Sequence, residues 1–103
     1  MSGQVTVLPP ADLVLEFDGQ YAQIPLRMQE ALRRYVVQGI LPGNFLQAVI
    51  TNNLRGAVGY ADEENLPLLK VYVQWFYNVA PSSCSGSIEI MRNWSAERQR
   101  ERA

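Results

Sequence analysis

The sequence predicts an all-α protein: an antiparallel helical hairpin with a short N-terminal arm, in an oligomeric helical assembly. Two observations predict the helices, because apolar residues recur every three or four positions in three segments, and proline, glycine or asparagine separates those segments. A third predicts the oligomer, because the segment LKVYVQWFYNV, residues 69–79, is apolar on nearly every side. With 103 residues the chain forms one domain with a limited core.

The chain divides into an N-terminal arm over residues 1–20 and a helical hairpin domain over residues 21–103, which ends in a short helix and a charged tail. Residues 4–8 alternate weakly like a short strand. Two prolines interrupt the arm, and residues 12–17 suit either a strand or one to two turns of helix.

The first helix is predicted from Ile24-Pro25 to about Gln38. Proline suits a first helical turn, where its missing N–H costs nothing, and Gly39 suits the position just after the end. The predicted apolar stripe consists of Met28, Ala31, Leu32, Tyr35 and Val36.

The second helix is predicted from Asn44, as N-cap, to about Val58. Gln47 follows three residues after Asn44, which makes a pair like a capping box. The connection between the first two helices is tight, so we expect them to pack antiparallel.

The third helix is predicted to follow Asn65, with Pro67 in its first turns and carboxylates at 62–64 favoured by the helix dipole. Pro81 ends it. Ser87 is predicted to cap a short final helix around Met91 and Trp94, and the tail SAERQRERA is charged enough to fray.

Only one polar stripe, Lys70, Gln74 and Asn78, runs along the third helix. Two neighbouring elements cannot cover the rest of its circumference, and large exposed apolar patches are rare in monomers. We therefore predict that Tyr72, Trp75 or Phe76 packs across subunits. The alternative is that the N-terminal arm and the Trp94 helix cover it within one chain.

Several kinds of chemistry are excluded by the composition. The chain has no histidine and a single cysteine, Cys84, so it lacks an ordinary zinc site or a Ser/Cys–His pair. It also lacks a Walker loop, and adjacent carboxylates at 62–64 diverge, so we expect no enzyme, cofactor or metal. The formal charge of −1 and the absence of a long apolar run predict a soluble intracellular protein that binds neither duplex nucleic acid nor membrane.

A basic patch with aromatic residues nearby remains. Arg27, Arg33 and Arg34 with Tyr21 and Tyr35 combine charges that suit phosphates with rings that suit bases. The alternative is a solvated helix face with a buried tyrosine.

Five motifs in order resemble a family of small phage proteins, the anti-CBASS cyclic-nucleotide sponges, whose helical hairpin is shared with the anti-Thoeris sponges. The resemblance covers roughly residues 22–95. The motifs are Ile24-Pro25, ALRRYVVQG (31–39), PGNFLQAVITNNL (42–54), ADEEN (61–65) and FYNVAPSSCSGS (76–87).

The resemblance implies that the protein binds a cyclic di- or trinucleotide in the cytoplasm of an infected bacterial host and lowers its free concentration without cleaving it. It also implies a homo-oligomer, a hexamer built from interlocked dimers, with ligand pockets between protomers. In the family, an aromatic residue ahead of the first long helix stacks on a base, and basic or polar residues near that helix and its following turn contact the phosphates. Tyr21 and Gln23, then Arg34 and Gln38, are the positions here that best resemble those roles.

Arg27 of the basic patch is a further candidate ligand residue. Asn44 and Asn78 are candidates too, because the resemblance implies that the turn 40–44 and the far end of the third helix frame a second pocket. The chain departs from the family where it has Tyr60 in place of an arginine and Cys84-Ser-Gly-Ser in place of CWGS. Two other hypotheses remain: a helical protein–protein inhibitor or adaptor of a host factor, and a nucleic-acid regulator that uses Arg92, Arg98, Arg100 and Arg102.

Overall fold

The computed structural model describes residues 15–102, and this part of the chain is all-helical, as predicted. The predicted strand at residues 4–8, and residues 12–14 of the following segment, lie outside the described residues; residues 15–18 have no regular structure. Five α-helices follow: α1 (Leu26–Gln38), α2 (Asn44–Ile50), α3 (Leu54–Tyr60), α4 (Leu69–Asn78) and α5 (Ile88–Arg102). Short 3₁₀ turns cover Gly19–Gln23, Leu66–Leu68 and Ser82–Cys84.

The first helix is confirmed, and its C-terminal end packs closely against α5. Gly39 ends α1 with a left-handed φ of 76°, and a Cβ there would lie 2.6 Å from the Ser95 carbonyl oxygen. The Trp94 indole N–H donates to the carbonyl oxygens of Tyr35 and Val36, each at 3.2 Å. These contacts satisfy carbonyl groups near the end of α1 that the helix itself leaves unpaired.

The prediction of one continuous second helix is wrong, because the chain turns between α2 and α3. Asn52 adopts a left-handed φ of 65°, which asparagine tolerates better than most residues. Asn53 caps α3 by accepting a hydrogen bond from the Gly56 N–H at 3.0 Å. Asn44 does not cap α2, which begins after Gly43, and the Gln47 amide donates to the Pro42 carbonyl instead.

The carboxylates at 62–64 lie directly before the 3₁₀ turn that leads into α4, and none of them is in the first turn of either element. Asp62 accepts a hydrogen bond from the Asn65 backbone N–H at 2.7 Å. Asn65 precedes the 3₁₀ turn as predicted for a cap, but its side chain is buried and accepts a hydrogen bond from the Tyr72 hydroxyl.

The last helix is 15 residues long, so the predictions of a short final helix and a frayed tail are wrong. Ser87 accepts a hydrogen bond from the Ile90 N–H at 3.1 Å, as predicted for its cap. Arg98 is 5% exposed, lies over the Trp94 ring at 4.4 Å and makes two 3.0 Å hydrogen bonds to Glu101. These contacts hold the charged segment in a helix, and they leave Arg98 unavailable to nucleic acid.

Tyr72, Trp75 and Phe76 of α4 are buried within one chain, so the prediction that one of these rings packs across subunits is wrong; the fourth aromatic residue of the helix, Tyr77, is exposed. Phe17 of the arm stacks on Trp75 with ring centroids 5.2 Å apart, and Arg33 lies over Phe17 at 4.8 Å. The alternative prediction was that the N-terminal arm and the Trp94 helix cover this helix within one chain. It holds for the arm, through Phe17, whereas Trp94 contacts α1.

Candidate ligand-binding clefts

One stripe of α1 carries three of the predicted ligand residues. Arg27, Arg34 and Gln38 are seven and four positions apart, which places them on one side of a helix. Arg34 is exposed and, among the described residues, has no ion-pair partner. It is therefore an available cation on this surface.

Arg27 is engaged by two carboxylates of the turn before α4. Its Nη1 lies 2.8 Å from Glu64 Oε1 and its Nη2 lies 3.3 Å from Asp62 Oδ2. The hydrogen bond and the charge of Glu64 raise the pKa of Arg27 above its usual value. All three side chains are more than half exposed, so the pairs add little to stability, but a phosphate must compete with them for this guanidinium.

Arg27 lines a cleft of about 240 Å³, which we call the Arg27 cleft, between α1, the start of α2 and the end of α3. Asn44 and the Tyr60 ring contribute to the same walls. Apolar side chains supply much of the remaining lining: Met28, Ala31, Phe45 and Leu46. A guanidinium, an amide and an aromatic ring therefore meet in one concave surface, together with Asn65 and the carboxylate of Asp62, which is paired with Arg27.

A second cleft of about 200 Å³, which we call the Arg92 cleft, adjoins the first. Asn44 and Tyr60 line both clefts, so the two are continuous at these residues. The polar side chains that line the second cleft are Asn44, Gln47, Thr51, Asn53, Tyr60 and Arg92. Together the clefts present an arginine on each side of a shared amide and tyrosine.

The sequence analysis did not name Tyr60 or Arg92 as candidate ligand residues, although they line these clefts. Tyr60 is 60% exposed and lines both clefts. Its position directly before ADEEN, where the resemblance expects an arginine, was the available signal. Arg92 belonged only to the alternative hypothesis of a nucleic-acid regulator, and only the position of α5 shows that it lines a cleft with residues of α2.

The remaining predicted residues lie elsewhere in the chain. Asn78 donates a hydrogen bond to the half-buried Tyr21 hydroxyl at 3.2 Å, and the Gln23 amide donates to the Gln20 carbonyl at 3.0 Å. None of these three residues lines the Arg27 or Arg92 cleft. Within one chain, Asn44 and Asn78 are therefore not brought to one pocket.

A cleft of about 510 Å³ runs along α5 and contains Trp94, Arg98 and Glu101. Its buried guanidinium is already neutralised by Glu101 and lies 3.7 Å from Glu97. Two arginines line this cleft, Arg98 and Arg100, and the buried one, Arg98, is committed to holding the helix.

Reactive and metal-binding groups are sparse in the described part of the chain. Burial raises the pKa of the Cys84 thiol to about 12, so little thiolate forms near neutral pH. Over residues 15–102, no three histidine, cysteine, aspartate or glutamate side chains cluster as metal ligands would. None of the helices described there has both the length and the apolar character of a membrane span.

Comparison with known proteins gives no match: no family model, no curated protein and no solved structure is similar to the chain.

Proposed function

We propose that this protein sequesters a cyclic di- or trinucleotide signal without cleaving it, as the sponge family it resembles does. The observation that carries the proposal is the continuous surface formed by the Arg27 and Arg92 clefts. It combines an aromatic ring, several amides and two flanking arginines, which are the groups that hold bases and phosphates in single-stranded nucleotide sites.

Each group has a role in this proposal. The Tyr60 ring stacks on a base, since base–aromatic stacking is tolerant of base identity. Asn44 and the amides of the Arg92 cleft donate to and accept from base edges. Arg92 contacts a phosphate through charge-assisted hydrogen bonds from its cleft, and Arg34, which lines neither cleft, contacts one from the exposed stripe of α1. Arg27 joins them only when the phosphate displaces its carboxylates.

The size of the clefts supports ligand pockets that two copies complete together. Small-molecule sites usually enclose about 300–1,000 Å³, and each of the two clefts is smaller and open to solvent. In the proposed hexamer, which is built from dimers, the antiparallel hairpin of one copy closes the cleft of another. Tyr21, Gln23, Gln38 and Asn78 then contribute from the neighbouring surface.

Binding alone is sufficient for this function, so no catalytic group is required. A protein in the cytoplasm of an infected bacterium lowers a free signal by mass action when its sites outnumber the signal molecules. The absence of histidine and the burial of the one thiol fit a protein that binds without turnover.

Calorimetry against a panel of cyclic di- and trinucleotides tests the proposal. We expect heat of binding with at least one member, and chromatography of the mixture after prolonged incubation should return the ligand unchanged. The proposal is overturned if no member of the panel binds, or if the bound ligand is converted to product.

Substitutions then locate the site. Arg34→Ala and Arg92→Ala are each expected to weaken binding by roughly 1.5–3 kcal/mol, the range for losing a hydrogen bond to a charged group, with the helical circular dichroism unchanged. The matched control is Arg55→Ala, because Arg55 is also exposed, lines neither cleft and lies on α3, away from the stripe of α1 that carries Arg34. An equal loss in all three variants would indicate a general charge effect and not a site.

A further inference from the structure

One polar side chain in the wall of the Arg27 cleft is almost completely buried. Asn65 is only 3% exposed, yet it lines the cleft beside Arg27 and Asp62. Its backbone N–H donates to Asp62 Oδ1 at 2.7 Å, and its backbone carbonyl accepts from the Leu68 N–H at 3.0 Å. These two hydrogen bonds fix the backbone from which the side chain enters the cleft wall.

The core holds the Asn65 amide in one orientation. Its Oδ1 accepts a hydrogen bond from the hydroxyl of Tyr72, a residue with no exposed surface. Turning the amide over would place its NH₂ group against that hydroxyl, and the hydroxyl proton has no other acceptor among the described residues. Because a buried donor without a partner is costly, the amide keeps its oxygen toward Tyr72.

The amide nitrogen of Asn65 is left for the cleft. This Nδ2 atom has no hydrogen-bond partner within residues 15–102. Among the described side-chain atoms only Gln74 Oε1 is both sealed from solvent and unpaired, so the Asn65 nitrogen keeps access to solvent through the cleft that the residue lines. At this point the wall therefore presents a fixed donor and no acceptor.

Acceptors lie directly beside this donor. The Asp62 carboxylate is bound by the Asn65 N–H on Oδ1 and by Arg27, at 3.3 Å, on Oδ2. An ionised carboxylate has about four lone-pair sites, so each oxygen keeps one for a ligand. The Asp62 side chain is 55% exposed, so these sites are accessible. The wall thus offers one N–H donor next to two acceptors.

We propose that this wall binds the Watson–Crick edge of guanine, so that the signal held in the Arg27 cleft contains guanine. Asn65 Nδ2 donates to the guanine O6 atom, and the Asp62 carboxylate accepts from the guanine N1–H and the N2 amino group. The inference deepens the proposed function and rests on it, since the base belongs to the nucleotide proposed there.

Guanine is the base whose edge has this order of groups, one acceptor followed by two donors. Adenine has an amino group where guanine has O6, so two donors would meet at Asn65, and the bare N1 atom of adenine would face the Asp62 carboxylate. Cytosine also has an amino group in the O6 position, and uracil has a carbonyl in place of the N2 amino group. A site built from such hydrogen bonds rejects a base that leaves its groups unpaired. The Tyr60 ring of the same cleft stacks on any base and so does not set this preference.

Calorimetry on the full chain tests the inference with pairs of cyclic di- and trinucleotides that differ only in guanine against adenine. We expect the guanine member of a pair to bind roughly tenfold to a hundredfold more tightly, the range for one bidentate base contact. Both members carry the same phosphates, so the ratio of their affinities is insensitive to the arginines.

Asp62→Asn should bring this ratio close to unity, because an amide has a single acceptor oxygen and adds a donor. Asp62 is exposed and the new amide oxygen still accepts from the Asn65 N–H, so we expect the variant to fold. Glu63→Gln is the matched control, because Glu63 is adjacent and exposed but does not line the cleft; it should keep the wild-type ratio. Asn65→Asp replaces the donor by an acceptor and should favour the adenine member, provided that circular dichroism shows a folded chain.

The outcomes separate this inference from the proposed function. Equal affinities within the pairs, tighter binding of the adenine member, an unchanged ratio in Asp62→Asn or an equal loss in Glu63→Gln overturns guanine recognition and leaves the proposed function standing. If no cyclic nucleotide binds, the proposed function fails, and nuclear magnetic resonance titrations with GMP and AMP decide the inference. Chemical-shift changes with GMP that exceed those with AMP and vanish in Asp62→Asn support it, and no difference between the two mononucleotides overturns it.

Discussion

The two faces of α4 have similar composition but different surroundings. Tyr72, Trp75 and Phe76 are buried within the chain, whereas Val73 and Tyr77 on the other side are exposed. An apolar helix surface therefore does not by itself indicate a subunit contact, because a short segment distant in sequence covers the first face here. Only the face that no described segment covers is a reason to look for another molecule.

The cover of the buried face is built from specific contacts. Phe17 lies parallel to the Trp75 ring, with 9° between the planes, and the Trp75 indole N–H donates to the Glu16 carbonyl at 3.4 Å. On the neighbouring side, the Phe45 ring meets Tyr72 edge-on at 5.1 Å. Aromatic pairs in these geometries add to the stabilisation that burial alone provides.

The largest effect should come from emptying the buried face. Trp75→Ala is expected to lower the free energy of unfolding by about 3–5 kcal/mol, because it removes a fully buried ring and leaves a cavity. Tyr77→Ala, on the exposed face, should change it by only about 0.5 kcal/mol when measured by urea denaturation at low protein concentration, where copies are separate. Similar losses in both variants would contradict the distinction between the faces.

The next largest loss of unfolding free energy should come from alkaline pH, because buried groups of the core then ionise. Burial raises the pKa of Cys84 from 9.0 to about 12, and burial also raises the pKa values of Tyr35 and Tyr72 above 10.0. The unfolded chain therefore loses these protons first, so their stabilisation is complete below pH 9 and is lost as the pH rises toward the folded-state values.

We expect the free energy of unfolding to begin to fall above pH 9, by about 1.4 kcal/mol per pH unit for each group that is titrating. Denaturation series at successive pH values measure this slope. In Cys84→Ala the decline should begin one unit later, near pH 10, where tyrosines of the unfolded chain ionise. A decline that starts at the same pH in both proteins would argue against burial of the thiol.

A smaller effect should come from the hydroxyl of Tyr72. Tyr72→Phe keeps the ring but leaves the buried Asn65 side-chain oxygen without its donor, which is expected to cost about 1–3 kcal/mol of unfolding free energy. Tyr77→Phe makes the same chemical change on the exposed face and should leave stability unchanged. Thermal denaturation of both variants sharpens the comparison, and equal melting temperatures would show that the Tyr72–Asn65 bond contributes nothing.

The sequence predicted those parts of the fold that adjacent residues determine. The bounds of α1 follow from Pro25 and Gly39, and the start of α5 follows from Ser87, because each acts within a few residues of its own position. The break after α2 also had a local signal, because the pair Asn52-Asn53 suits a turn and a helix cap. The apolar residues on both sides of this pair keep a helical spacing, and that spacing predicted one continuous helix.

Contacts between distant segments account for the features that the sequence analysis missed. The tail is helical because Ser95 and Gln99 donate to the Gly39 carbonyl, a pairing that no local pattern predicts, and Arg98 adds a contact within the helix by lying over Trp94 four positions earlier. In the same way, Arg27 meets Asp62 and Glu64 across 35 or more positions of sequence. The joining of two clefts at Tyr60 depends on how α2, α3 and α5 meet.

The close approach at Gly39 has a consequence for any mutational scan of this protein. Alanine is ordinarily the mildest replacement on a helix, but here its methyl group would have to occupy space already held by the Ser95 carbonyl and the Arg98 Cβ, both 2.6 Å from the added carbon. The left-handed backbone at this residue adds strain for any L side chain. A position with no side chain at all is therefore among the least replaceable in the molecule.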